Sequence, residues 1–148
     1  MKKLLAQILS VCAVLSLGAS AAHAAEAWGE NYTKAKTQAK TENKQLLLDF
    51  TGSDWCGWCI QLHKEVFSQQ EFKDYAAKNL VLMKVDFPQT KPQAANIKQQ
   101  NAKLKDQYQI EGFPTIIVLN SQGKQVGQLG YMPGGPKAFI AELEKLKK

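Results

Sequence analysis

Two cysteines three positions apart, in Trp55-Cys56-Gly57-Trp58-Cys59, stand between an apolar run and an amphipathic one. Upstream, Leu46-Leu47-Leu48-Asp49-Phe50 reads as a buried strand; downstream, Ile60-Gln61-Leu62-His63-Lys64-Glu65-Val66-Phe67 reads as a helix. The pair therefore occupies a strand-to-helix turn. Unpaired backbone N–H groups at a helix start stabilise the thiolate of the first sulfur, and the second lies one turn along, close enough to close a small ring. Reversible thiol–disulfide exchange is the chemistry that this arrangement suits.

The rest of the chain alternates in the same way. Glu30 to Lys44 is polar with a thin apolar stripe at Tyr32, Ala35 and Ala39, and predicts a surface helix that Asn43-Lys44 ends. Gln45 to Phe50, with only Asp49 polar among its apolar residues, suits a central strand covered on both faces. Thr51 to Trp55 forms a connecting turn, and a helix follows from about Cys56 to Phe67. A helix over Gln70 to Lys78, a strand over Leu80 to Phe87 and a helix over Lys91 to Gln107 come next. Strands at Thr115 to Leu119 and Gln125 to Leu129 flank a hairpin turn at Ser121-Gln122-Gly123-Lys124. Pro136 to Leu146 closes the chain as a helix with Phe139, Ile140, Leu143 and Leu146 on one face. The order implies an α/β fold, a mixed central sheet flanked by helices on both faces.

The first residues read as an address. Lys2 and Lys3, an apolar stretch from Leu4 to Leu17, and Ala22-His23-Ala24 match a secretory signal peptide over residues 1–24, leaving one domain over 25–148. Cleavage is expected after Ala24, with Ala25 as the second boundary. The apolar stretch is short for a membrane anchor, which needs roughly 20 residues. Lipidation at Cys12 is disfavoured by Val11 before it and by its place inside the apolar stretch. A periplasmic or otherwise exported protein, with no stable membrane insertion after cleavage, is the reading. It leaves Cys56 and Cys59 as the two thiols, and a pair closing so little chain adds small loop-closure stabilisation. The net charge of +6 falls to +4 without Lys2 and Lys3, and every basic residue is lysine. With no arginine fork for phosphate or base edges, the composition argues against a nucleic-acid partner.

Cys56 is the expected nucleophile, since a helix N-terminus lowers a cysteine pKa from about 8.5 to roughly 3.5–7.5. Cys59 is the expected resolving thiol, attacking the mixed disulfide that Cys56 forms with a substrate. Gly57 permits the tight turn, and Trp58 takes the exposed place between the thiols. Haem attachment would need histidine at position 60, which is Ile60. A zinc site would need four ligands, whereas Cys56, Cys59 and His63 supply three. No metal and no cofactor is expected.

At these residues the chain resembles the thioredoxin superfamily, particularly its exported thioredoxin-like members with an Asp-Phe-Thr-Gly-x-x-Trp-Cys-x-x-Cys segment. The likeness covers nearly the whole chain after residue 24. It rests on Asp49-Phe50, Trp55-Cys56-Gly57-Trp58-Cys59, Lys84-Val85-Asp86 and Gly112-Phe113-Pro114-Thr115. The resemblance implies a thioredoxin-like fold in which Pro114 is a cis-proline beside the thiols and the backbone of Phe113 offers strand-like hydrogen bonds to substrate. An ordinary strand-start proline is the plainer alternative. It further implies that Asp49 is a buried acid under Cys59, with Lys84 as partner, whose raised pKa lets it take the resolving thiol's proton. A turn-side aspartate bonded to backbone is the alternative. Trp55, Gly57, Trp58, Phe113 and Pro114 would form the substrate-binding surface. Three departures stand out: the loop from Asp49 to Cys56 is one residue longer than in thioredoxin, the helix after Cys59 lacks a kinking proline, and Trp58 replaces the usual proline or histidine. Trp58 either gates substrate access by its bulk or covers apolar surface.

Exchange chemistry has no built-in direction; the reduction potential decides it. A strong oxidant usually has a histidine between its thiols, and Trp58 carries no charge, so the expectation is a reductase acting on protein disulfides. A reductase outside the cytoplasm needs a membrane-bound electron donor as partner. The alternatives are an oxidase or isomerase running the same chemistry the other way, and a client-binding, chaperone-like module using the Phe113-Pro114 surface.

Overall fold

The computed structural model describes residues 28–147. The expected signal peptide and cleavage site, and Cys12, lie outside the described residues.

Among the described residues, five α-helices and four strands follow one another as α1 (Tyr32–Glu42), β1 (Gln45–Thr51), α2 (Gly57–Leu62), α3 (Gln70–Asn79), β2 (Leu80–Asp86), α4 (Ala95–Gln107), β3 (Thr115–Leu119), β4 (Gln125–Leu129) and α5 (Gly135–Lys145). Local chemistry sets several boundaries. Asn31 caps α1 by accepting from the Lys34 N–H at 2.9 Å, and Asn43 ends it in the left-handed conformation at φ 50°. The helix predicted from Lys91 begins only at Ala95. Pro92 biases Lys91 away from the helical region, and the N–H groups of Gln89, Thr90 and Lys91 all donate to the Asp54 carboxylate, so the chain there stays a loop. The predicted helix from Cys56 to Phe67 is really two segments: α2 passes at His63 into a π-helical turn, His63–Phe67, marked by the Ser68 N–H donating to the His63 carbonyl at 2.8 Å. The two consecutive residues Val66 and Phe67 are both buried in that turn.

The sheet order is β2-β1-β3-β4, with β1 parallel to β2 and antiparallel to β3, and β3 antiparallel to β4. The sheet is mixed because α3 carries the chain back for the parallel pair, while a short turn suffices for the last hairpin. Alternation along β1 divides the core. Leu46, Leu48 and Phe50 pack with Ala35 and Ala39 of α1 and Leu104 of α4, whereas Leu47 packs with Leu62, Phe72, Ala76, Phe139 and Leu143 from α2, α3 and α5. The expected α/β arrangement with helices on both faces is what the chain adopts. The same alternation assigns Asp49 and Lys84, register partners across β1 and β2, to the α2 side of the sheet with Leu47 and Leu82.

Candidate active site

Cys56 and Cys59 form a disulfide with Cα atoms 5.2 Å apart. Cys56 is the N-cap of α2, in extended conformation, and its Sγ accepts from the Cys59 N–H at 3.2 Å. A sulfur in that position takes the role that a serine or aspartate oxygen takes at other helix starts, so a free N-terminal donor and the helix dipole both favour its anionic form. The two cysteines are 7 % and 5 % exposed. Gly57 does not have a positive φ, and a Cβ there would meet nothing within 4 Å. The turn therefore does not demand glycine at 57, and the sequence reading of it as a tight-turn residue is corrected. The glycine that matters sterically is Gly52, against which the Trp55 indole lies so closely that a Cβ would collide with it. Its carbonyl also accepts from the Cys56 N–H at 2.8 Å.

Side chains from two loops hold this turn. Asp54 accepts from the backbone of Gln89, Thr90 and Lys91 and from the Thr90 hydroxyl, and these donors push its carboxyl well below the usual range. Trp55 Nε1 donates to the Phe87 carbonyl at 2.8 Å, and its ring meets Phe113 edge-on at 5.9 Å. Phe113 in turn stacks on Phe87 at 5.1 Å. The Phe113–Pro114 peptide bond is cis. The residue before Cys56 is thus in ring contact with the residue before Pro114. Among the described residues, the large apolar side chains left exposed are Trp55 at 43 %, Trp58 at 58 % and Ile60 at 50 %. All three adjoin one of the two cysteines in sequence.

Asp49 is buried on the α2 side of the sheet, and its Oδ1 has no hydrogen-bond partner. Loss of solvation pushes its carboxyl up to about 7; the Lys84 charge pulls it down and the nearby Asp86 carboxylate adds to the rise. Asp86 is itself held by the Ser53 N–H at 2.9 Å and by the Ser53 hydroxyl. A carboxyl near pH 7 that shares the α2 side of the sheet can take a proton from a thiol and give it back. His63 is exposed on the π-helical turn, and among the described residues no cluster of metal-ligating side chains forms.

These features match a family. A family model described as thioredoxin-like domain matches residues 32–147. The chain belongs to the thioredoxin-like family. Over 119 residues it is 38 % identical to the disulfide bond reductase DsbH of Chlamydia pneumoniae, covering 80 % of this chain and 72 % of that protein. A second relative, the thioredoxin-related protein DsbJ of the same organism, is 33 % identical over 103 residues, which is 70 % of this chain but 30 % of DsbJ. A solved DsbH oxidoreductase superposes with a TM-score of 0.76 at 37 % identity, covering 80 % of this chain and 82 % of that one. This thioredoxin-like protein is a thiol–disulfide oxidoreductase.

Several residues of the site had no clear sequence signal. Tyr131, in the loop after β4, stacks on Trp58 with ring centroids 4.8 Å apart. Its hydroxyl donates to Glu65 Oε2 at 2.8 Å, while Gln61 Nε2 donates to Glu65 Oε1 at 2.9 Å and to the Tyr131 hydroxyl at 3.2 Å. Those donors, Gln61 first, hold the Glu65 carboxyl below its ordinary range. Glu65 and Gln61 read as ordinary helix-surface residues at i and i+4. The aromatic residue in a Met-Pro-Gly-Gly loop was the one available hint.

Proposed function

We propose that this oxidoreductase is an exported reductase of protein disulfides. The observation that carries the reading is Cys56 as the N-cap of α2, in a segment whose Trp55, Trp58 and Ile60 are exposed. Exposed apolar residues beside the thiols suit partly buried protein cystines, and a neutral Gly57-Trp58 pair between the thiols adds no cation to stabilise the Cys56 thiolate of the reduced form. The similarity to a protein named as a disulfide bond reductase supports the same direction, and the leader-like residues 1–24 support export.

The cycle balances as follows. The Cys56 thiolate attacks one substrate sulfur, forming a Cys56–substrate disulfide and expelling the other sulfur as thiolate, which takes up a proton. Cys59 gives its proton to the Asp49 carboxylate and attacks the Cys56 sulfur, forming the intramolecular disulfide and releasing the second substrate thiolate, which takes the second proton. Two electrons pass to the substrate, and a membrane-bound dithiol donor returns them. Lys84 offsets the charge of Asp49 when it is ionised.

Titration in glutathione buffers tests this. The expected potential is nearer the thioredoxin value of about −270 mV than the about −120 mV of a strong disulfide donor. Cys56→Ser should abolish protein-disulfide reduction, and Cys59→Ser should accumulate mixed disulfides. A potential near −120 mV would make the protein an oxidase. Equal inertness of wild type and both variants would leave a client-binding module.

A further inference from the structure

We propose that Tyr131 is a positioning residue that fixes Trp58 as a specificity surface, so that the protein prefers disulfides whose half-cystine is followed by an apolar side chain. The inference rests on the reading of Trp58 as a substrate contact and goes further, in naming what holds it and what it selects.

An exposed tryptophan on a helix is normally free to change rotamer, and a mobile ring gives up conformational entropy when it binds. Trp58 is 58 % exposed, yet its ring has a partner at 4.8 Å. That partner is held at its far end. The Tyr131 hydroxyl is fixed by the Glu65 carboxylate and by Gln61, both on the helical run that carries Trp58 and Cys59. Glu65 lies on the π-helical turn, and Tyr131 comes from the loop between β4 and α5. The three side chains thus form a closed strut from the helix to the loop and back to the indole. Glu65 has both carboxylate oxygens hydrogen-bonded within the strut, so it is held to Tyr131 and Gln61. The remaining surface is the exposed part of the indole, between Cys56 and Cys59 in sequence and followed by the exposed Ile60. Its chemistry is apolar and planar, fitting an aliphatic or aromatic side chain next to a cystine.

Two disulfide-bridged peptides, identical except for Phe or Ser after the half-cystine, provide the probe. Single-turnover exchange with pre-reduced protein is followed over a range of peptide concentration, which needs no electron donor. Wild type should favour the Phe peptide, mostly through a lower half-saturation concentration. Tyr131→Ala should cut that preference by roughly three- to tenfold, the span expected for one aromatic pair. Glu65→Ala should act likewise, whereas Glu65→Gln keeps an acceptor for the Tyr131 hydroxyl and should restore the preference. Tyr131→Phe, which keeps the ring and the packing, should fall between. In 5-fluorotryptophan-labelled protein, the Trp58 resonance, assigned with Trp58→Phe, should move in Tyr131→Ala and stay in place in Glu65→Gln. No peptide preference in wild type, or a preference and resonance unaltered in Tyr131→Ala, would overturn the inference while leaving exchange chemistry intact. Failure of wild type to react with either peptide would instead remove the reading on which it rests.

Discussion

Asp49 holds a carboxyl at about 7 because burial removes its water and Oδ1 gains no donor in exchange. The sign of the consequence follows from linkage. Below about pH 4 the folded and unfolded chains both keep the proton, so the site costs nothing. From about 4 to 7 the unfolded chain ionises first and stability falls with rising pH; above 7 the penalty, on the order of a few kcal/mol, is complete. Asp49→Asn is therefore expected to melt higher than wild type at pH 8, with the difference closing near pH 4 in thermal scans. The same variant should slow release of the mixed disulfide, seen as slower resolution in stopped flow. Asp54 has the opposite sign. Its donors lower its pKa, so the stability it adds is present above about pH 4 and is lost as pH falls through its depressed folded value. Asp54→Ala should lower the melting temperature at pH 7 and have little effect in strong acid.

Between α2 and β1 the element boundary depends on close approach. Gly52→Ala would push a methyl into the Trp55 indole, and overpacking of this kind costs about 1–3 kcal/mol. Denaturant unfolding should show that loss, together with reduced exchange activity because Trp55 leaves Phe113. The strands and most helices were legible in the sequence because apolar period and turn residues agree there, as in Gln45–Thr51 and Thr115–Leu119. Two helix details were not. The start of α4 depends on Pro92 and on a carboxylate 35 residues or more away, and the π-helical turn at His63–Phe67 depends on packing Val66 and Phe67 side by side. Window periodicity carries neither long-range bond nor packing. Gly52, in the turn, and Gly57, the first residue of α2, make the same point: only contact with Trp55 distinguishes the one that is sterically required.

For the whole molecule, two apolar layers on either side of one sheet supply the rigidity that holds the turn. Phe67 joins Trp28, Phe72 and Phe139 in ring contacts of 5.0 to 5.5 Å. Phe67→Ala should cost about 3–5 kcal/mol in chemical denaturation, and it tests whether the π-helical turn belongs to the core. Redox state is linked to global stability through the same site. If the protein is a reductase, its disulfide form should be the more stable one, with the gap to the reduced form set by about 1.4 kcal/mol per 30 mV. Paired denaturation of oxidised and reduced protein measures that gap, and a more stable reduced form would point to an oxidase.

By itself the sequence determined the reacting pair, the fold class and the family, since Trp55-Cys56-Gly57-Trp58-Cys59 and Gly112-Phe113-Pro114-Thr115 are local patterns whose chemistry is carried by residue type and spacing. Only the tertiary structure decided what surrounds the pair. It brought Asp49 to the α2 side beside Lys84, tied Asp54 to the loop over 89–91, and closed Glu65, Gln61 and Tyr131 around Trp58. The long-range contacts among them join residues 35 to 73 positions apart, where burial and hydrogen-bond geometry, rather than spacing along the chain, determine which groups meet.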